Sequence, residues 1–172
     1  MKLDLSNIRG GEQQKIELDF TVDLEDIDYY GDLFKIKKPV SVLGNLFNMK
    51  EEIYLTCKLS TNLQVHCARC LLAFDYPLET NINAKLLAQN EYEDSDYDDQ
   101  DDIILYEDQI VDFSELVREQ IITALPMKVV CRENCKGLCK SCGSNLNLTT
   151  CQCDMDDDGG IDPRMAKLKE LL

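Results

Sequence analysis

Cysteine spacing constrains what this chain can fold into more than any other feature. Its 172 residues include nine cysteines and one histidine. Nine is an odd number, so a complete set of disulfides would leave one thiol over, and a cytosolic chain keeps its thiols reduced. Metal ligation is therefore the leading interpretation, with thiolates as nearly all of the ligands. Eight cysteines form closely spaced groups: Cys67-x-x-Cys70, Cys131-x3-Cys135-x3-Cys139-x-x-Cys142 and Cys151-x-Cys153.

Two tetrahedral zinc sites with four thiolates each would use all eight of these cysteines. The preferred assignment places one ion on Cys139, Cys142, Cys151 and Cys153, and the other on Cys67, Cys70, Cys131 and Cys135. An alternative assignment joins the two C-x-x-C pairs on one ion, as in a zinc ribbon with a large insertion. The sequence leaves both open. Gly143 directly follows a C-x-x-C pair and would permit the close turn that such a metal-binding loop needs.

Two further residues resemble ligands but are assigned elsewhere. Cys57 lies on the apolar face of an alternating segment, which predicts a small core side chain. His66 and Cys67 would point to opposite faces of a regular strand, so we expect His66 on the polar face.

Residues 14–88 are predicted to form strands. Apolar residues from Ile16 to Leu24 alternate with acidic residues and threonine, and similar alternation recurs from Val40, from Ile53 and from Leu72 onward. Several such strands with short connections indicate an antiparallel sheet with one face in water. The fold class predicted is therefore α+β: an antiparallel sheet packed by a helix, with a cysteine-rich zinc-knuckle module near the C-terminus.

The helix that would cover the dry face is the clearest in the sequence. Asp112 and Glu115 have the spacing of a capping box, and Pro126 would end the helix. One apolar stripe runs along it, formed by Phe113, Leu116, Val117, Ile121, Ala124 and Leu125. A second short helix is predicted from Asp162 to the C-terminus, with Pro163 at its first position.

These predictions suggest two regions packed together as one domain. Residues 1–125 would contain the sheet and the helix, with an acidic loop at 91–108. Residues 126–172 would contain the cysteine-rich module and the short helix. The acidic loop carries no lysine or arginine, and we expect it to be solvated rather than buried.

Charge indicates which partners the chain can meet. A net charge of −15 predicts overall repulsion of nucleic acid and anionic membranes. No apolar run approaches the roughly 20 residues that a membrane helix needs. The cysteine-rich region reverses this sign, because within residues 126–152 only Glu133 opposes four basic residues. These could contact phosphate groups, or they could screen anionic thiolate sites and keep the module soluble. The four are Lys128, Arg132, Lys136 and Lys140.

Catalysis finds little support in the sequence. There is no Ser-His-Asp or Cys-His arrangement beyond the single histidine, and no glycine-rich phosphate loop. A zinc ion with four thiolates has no open position and is structural. The chain is therefore predicted to be a binding module rather than an enzyme.

Five separated motifs occur in the order seen in one known family. They are CARCL at 67–71, EQIITALP at 119–126, CKGLC at 135–139, CGSNLN at 142–147 and, after Cys151 and Cys153, DPR at 162–164. Over about residues 40–172 the chain resembles the YceD family, the large ribosomal RNA subunit accumulation proteins of bacteria, with plastid relatives.

The resemblance implies a cytoplasmic, non-enzymatic factor for the accumulation or processing of large-subunit (23S) ribosomal RNA. Its partners would be that RNA, a large-subunit ribosomal protein, or both, with no membrane and no small-molecule substrate. A zinc-dependent regulator or metal sensor is the main alternative. A redox protein using Cys67 and Cys70 as a dithiol is a second alternative, and it would require an accessible thiol with a depressed pKa.

Overall fold

The computed structural model of the chain describes residues 1–29, 31–50, 52–92 and 102–153. Its elements, in chain order, are β1 (Lys2–Asp4), α1 (Ser6–Arg9), β2 (Lys15–Val22), β3 (Ile27–Tyr29), β4 (Asp32–Ile36), β5 (Val40–Met49), β6 (Glu52–His66), β7 (Ala73–Ala88), α2 (Gln89–Tyr92), β8 (Ile103–Tyr106), β9 (Ile110–Asp112) and α3 (Phe113–Ala124).

The main sheet is built around the long hairpin of β6 and β7. These strands pair antiparallel from Ile53 opposite Leu86 to His66 opposite Ala73. On its other side β6 pairs antiparallel with β5 and, near its end, with β4; β5 in turn pairs with β2. The alternation of apolar and polar residues in the sequence corresponds to an alternation of buried and more exposed side chains along most of β6, as expected for a strand with one face in the core. The predicted antiparallel sheet with helices is therefore confirmed.

Helix α3 begins and ends where the sequence indicates. The Asp112 carboxylate accepts a hydrogen bond of 3.0 Å from the Ser114 N–H, which makes Asp112 the N-cap. The helix stops at Ala124, because Leu125, which precedes Pro126, is extended with ψ 125°.

The apolar stripe of α3 packs on the sheet. Its buried members are Phe113, Val117 and Ile121. The Phe113 ring meets Phe20 of β2 edge-on at a centroid distance of 5.3 Å. Gln120 on the flank of the helix donates a hydrogen bond of 3.1 Å to the Thr80 hydroxyl of β7. The predicted role of this helix as a cover for the sheet is confirmed.

Cys57 is a core residue, as predicted. It lies in β6 with 3% of its surface exposed, and burial raises the pKa of its thiol to about 11. Its partner in the neighbouring strand is Gly44 of β5. The two strands approach so closely that a Cβ atom at Gly44 would lie 2.4 Å from the Cys57 Cα.

The first 40 residues contribute more than the one strand that the sequence predicted. Strand β1 pairs antiparallel with β9, which leads directly into α3. Leu5 and Ile8 of the following turn and helix α1 are fully buried in the hydrophobic core. These elements are too short for a periodic pattern to reveal them, since each spans only three or four residues.

The predicted acidic loop at 91–108 is wrong at both ends. Helix α2 continues to Tyr92, and residues 103–106 form β8, which pairs parallel with the end of β7. The prediction gave the acidic charge more weight than the apolar run of Ile103, Ile104 and Leu105. Residues 93–101 lie outside the described residues, and so does the predicted helix at 162–172.

By its internal contacts the chain divides into two compact units. The larger comprises Met1–Ala68 and Leu72–Cys131, and contains all the strands and helices named above. The smaller comprises Arg69–Leu71 and Arg132–Leu172, and is described as far as Cys153. The predicted division between residues 125 and 126 stays a prediction. Within the described part of the chain, no helix is both long and apolar enough to cross a membrane.

Candidate metal centres and a basic surface

The turn between β6 and β7 carries the first C-x-x-C pair. The Cys67 N–H donates a hydrogen bond of 2.9 Å to the Leu72 carbonyl, which closes the turn. Leu71, directly after the pair, has a φ of +59°. Cys67 is fully buried whereas His66 is exposed, in agreement with the prediction that they point to opposite faces.

The second C-x-x-C pair repeats this local geometry. The Cys139 N–H donates a hydrogen bond of 2.8 Å to the Ser144 carbonyl, at the same spacing as in the first pair. The residue after the pair is Gly143, with a φ of +71°, and its N–H donates to the Cys139 carbonyl at 2.9 Å. Both turns therefore need a residue with left-handed backbone conformation after the C-x-x-C pair. Glycine adopts this conformation without strain, whereas Leu71 is strained by it.

The structure groups the eight cysteines into two sets of four. In each set the Sγ atoms lie within 4.8 Å of one another. The grouping matches the preferred assignment. Ligation of ions by these thiolates stays a prediction. We call the sets site A and site B. Site A is Cys67, Cys70, Cys131 and Cys135; site B is Cys139, Cys142, Cys151 and Cys153.

The thiols of site B differ sharply in how readily they lose a proton. Backbone N–H groups of Cys142 and Ser141 donate to Cys139 and lower the pKa of its thiol to about 6. Ser144 lowers the pKa of Cys142 through its hydroxyl and its N–H. Conversely, the hydrogen bond to the Cys142 sulfur raises the pKa of Cys153 to about 12.

The two remaining thiols of site B are harder to ionise. The hydrogen bond to the Cys139 sulfur likewise raises the pKa of Cys151. Two of the thiols thus ionise readily, and the other two resist ionisation because it would place a second negative charge beside the first. A cation among the four would remove that resistance. The donor chemistry suits a soft or borderline divalent ion such as Zn²⁺, with all four positions taken by protein.

Two polar side chains in the smaller unit support Cys135 of site A. The Asn147 side-chain Nδ2 lies 3.3 Å from the Cys135 Sγ. One terminal nitrogen of the Arg69 guanidinium donates to the Cys135 carbonyl and to the Glu133 carbonyl, at 3.2 Å each. Arg69 therefore fixes the C-x-x-C turn, in which it lies, against the backbone that carries Cys135.

Asn147 and Arg69 were not among the predicted site residues. Both residues lie inside motifs on which the predicted family resemblance rests, CARCL and CGSNLN. That was the one available signal, because nothing in the local spacing of an asparagine or an arginine marks it as a partner of a thiolate.

The four basic residues predicted as partner contacts are all exposed. Arg132, Lys136 and Lys140 lie in the smaller unit and Lys128 in the larger. Arg132 also has a local contact, because its guanidinium donates to the Asn147 Oδ1 at 2.8 Å. The side chains of Lys136 and Lys140 therefore remain the better probes of a binding role.

Comparison with known proteins places the chain in a family. The family model for the large ribosomal RNA subunit accumulation protein YceD matches residues 55–172. The chain belongs to the YceD family. The matched segment includes both C-x-x-C turns, α3 and all eight cysteines of sites A and B. The predicted resemblance is thereby confirmed, and it links the chain coarsely to the large ribosomal subunit.

Individual YceD relatives show how far the similarity extends. YlbN of Bacillus subtilis (strain 168), an uncharacterized protein, is 25% identical over all of this chain and 96% of its own length. The chloroplastic large ribosomal RNA subunit accumulation protein YCED homolog 1 of Zea mays is 40% identical over 57 residues, which are 33% of this chain and 20% of the relative. Its counterpart in Arabidopsis thaliana is 27% identical over 78% of this chain and 50% of the relative. No solved structure matches the chain.

Proposed function

We propose that this YceD-family chain is a non-enzymatic, cytoplasmic factor for the accumulation or processing of large-subunit (23S) ribosomal RNA, acting by binding that RNA or a ribosomal protein. The observation that carries the proposal is the family match over residues 55–172. Relatives from two plants bear the name of large ribosomal RNA subunit accumulation proteins. That name describes the accumulation of an RNA rather than a chemical reaction, which supports a binding role.

The metal part of the proposal is two structural zinc ions per chain, one at site A and one at site B. It is supported by two sets of four sulfurs, each within 4.8 Å of one another. Because each set offers four thiolates, a bound ion would have no position left for substrate or water. The ion would supply a cross-link between distant residues and hold the exposed loops of the smaller unit in one conformation.

The binding part rests on charge. Lys136 and Lys140 are exposed, and the smaller unit carries them close in sequence to the ligands of both sites. Phosphate contacts of this kind give affinity and position without reading sequence. The net charge of −15 over the whole chain favours a basic ribosomal protein as the other class of partner.

A depletion experiment with complementation tests the function. Cells depleted of the protein should show a lower ratio of large- to small-subunit ribosomal RNA, with unprocessed large-subunit precursor. The wild-type chain should restore the ratio, and the double variant Lys136→Glu, Lys140→Glu should not. Lys37→Glu with Lys38→Glu is the matched control, since it makes the same change in net charge at two other exposed lysines.

In vitro, the same variants separate the two classes of partner. If the surface contacts RNA, losing two phosphate contacts should reduce the slope of log K against log salt by about 1.4 to 1.8. If only ribosomal-protein binding weakens, the partner is that protein. An unchanged ribosomal RNA ratio in depleted cells would contradict the proposed function as a whole.

A zinc-dependent regulator is the second candidate. Cys142 of site B is exposed, so an ion there would be within reach of chelators and exchange partners in solution. Weak, reversible zinc binding would favour this candidate, and tight constitutive zinc would favour the ribosomal factor. The redox alternative has less support, because Cys67 and Cys70 are 0% and 4% exposed.

A further inference from the structure

Asn147 contacts a ligand of one candidate metal site while lying in a loop of the other. Its Nδ2 lies 3.3 Å from the Cys135 Sγ of site A. In sequence it lies between Cys142 and Cys151, two members of site B. The Cys142–Cys151 loop is therefore the segment whose ends an ion at site B would hold.

The orientation of the Asn147 amide is fixed by its other partners. Its Oδ1 accepts from the Lys136 N–H at 2.9 Å and from the Arg132 guanidinium at 2.8 Å. Two donors at this oxygen leave the NH₂ group to face the Cys135 sulfur and the Asn145 Oδ1. The amide thus donates to a thiolate, which stabilises the charged form that binds a metal.

The loop is held to the site B turn by backbone hydrogen bonds. The Leu146 N–H donates to the Gly137 carbonyl at 3.0 Å, and the Cys139 N–H donates to the Ser144 carbonyl at 2.8 Å. Asn145 stabilises the local turn that leads to Asn147, because its Oδ1 accepts a hydrogen bond of 2.9 Å from the Asn147 N–H. An ion that joins Cys142 to Cys151 would restrict both ends of this loop and so hold Asn147 in place.

We propose that the two metal sites are coupled through Asn147, so that an ion at site B strengthens ion binding at site A. This proposal rests on the zinc part of the proposed function. An ion at site B would order the Cys142–Cys151 loop. An ion at site A would then benefit from the hydrogen bond of Asn147 to Cys135 without the loss of conformational entropy that ordering the loop requires. By linkage, an ion at site A strengthens binding at site B by the same factor.

The expected size follows from what polar partners of metal ligands contribute elsewhere. Removing such a partner typically costs about 10–100-fold in metal affinity. A coupling factor of this size would deplete the singly loaded protein. For two sites of equal intrinsic affinity, half-saturated protein is about half singly loaded without coupling, about a quarter with tenfold coupling and about a tenth with hundredfold coupling.

The test uses the full chain and zinc alone. Metal-free protein is titrated with Zn²⁺ in a competing chelator, and native mass spectrometry counts chains with no, one and two ions. At half-saturation, between about a tenth and a quarter of the wild-type chains should carry a single ion. Asn147→Asp keeps an oxygen for Lys136 and Arg132 but replaces the donor with a repelling carboxylate, so its singly loaded fraction should rise to about one half, a roughly two- to fivefold increase. Leu148→Ala, in the same loop with a side chain 76% exposed, is the control and should behave as wild type.

A double-mutant cycle assigns the effect to the loop. Cys151→Ser removes a site B ligand and should weaken zinc at site A by the coupling factor in the wild-type background. In the Asn147→Asp background the same change should leave site A unaffected. Equal titration of wild type and Asn147→Asp, with two ions bound in each, would overturn the coupling but not the zinc sites. Failure of the wild-type chain to bind zinc would overturn both.

Discussion

The close approach of β5 to β6 at Gly44 makes a sharp prediction about the sheet that carries the first C-x-x-C turn. A Cβ atom at this position would lie 2.2 Å from the Thr56 carbonyl oxygen and 2.4 Å from both Cα and Cβ of Cys57. Contacts of Cβ atoms below 3.0 Å essentially never occur. In Gly44→Ala, β5 and β6 would therefore have to separate locally by about 0.8 Å.

The cost of this separation can be worked out from its parts. Overpacking a core typically costs about 1–3 kcal/mol, and here the obstacle is mostly backbone, which cannot rotate away. Stretching one or two hydrogen bonds of the ladder adds about 1 kcal/mol. We expect Gly44→Ala to lower the free energy of unfolding by about 2–4 kcal/mol. For a chain of this size, that corresponds to a melting temperature roughly 10 °C lower.

Urea and thermal unfolding of the metal-loaded protein, followed by circular dichroism, measure this loss. Gly11→Ala is the matched control. Gly11 has a φ of +77°, but nothing lies within 4 Å of its added Cβ, so the change should cost only about 1 kcal/mol of backbone strain. If Gly44→Ala destabilises the protein no more than Gly11→Ala, the close approach of the two strands would be refuted.

Two further predictions concern buried and paired groups. Because burial raises the pKa of Cys57 to about 11, iodoacetamide should modify this thiol only after the protein unfolds, and mass spectrometry of the peptide that contains it checks this. Cys57→Ala should bind as much zinc as the wild type. Hydrogen bonds from Lys85 and, to a smaller extent, from Tyr54 lower the pKa of Glu52 from its ordinary value of 4.5. The ionised carboxylate therefore stabilises the fold at pH values above 4.5, and this contribution is lost as the pH falls through the lowered pKa. Glu52→Gln should therefore cost roughly 0.5 kcal/mol at pH 7, a small amount because Glu52 is 46% exposed, and the difference from wild type in urea unfolding should vanish in strong acid. A difference independent of pH would contradict the role of this pair.

Local sequence patterns were sufficient for the parts of the fold that local physics determines. Alternation from Ile53 onward predicted a half-buried strand, because side chains of a strand point alternately to its two faces, and β6 is that strand. Asp112 predicted the start of α3, since a carboxylate can satisfy the free N–H groups of a first helical turn. The same approach failed at residues 103–106, where the order of strands decides the outcome. A short apolar run becomes a strand only because β7 offers an edge for parallel pairing.

The candidate metal sites divide in the same way. Each C-x-x-C spacing was visible in the sequence because the two sulfurs and the turn between them are neighbours in the chain. The need for a left-handed residue after the pair was visible at Gly143 but not at Leu71, where leucine hides it. The sequence alone could not choose which pairs share an ion, because loop closure over many residues costs only logarithmically more than over few.

Sequence was thus enough to predict the types of the main elements, the two C-x-x-C pairs and the family. Tertiary structure decided the grouping of the eight cysteines and the contact of Asn147 with Cys135. The difference lies in how far apart along the chain the interacting residues are. Periodicity, capping and turn formation depend on residues a few positions apart, whereas a hydrogen bond between residues 147 and 135 depends on a loop folded back by several backbone contacts, none of which leaves a pattern in the sequence.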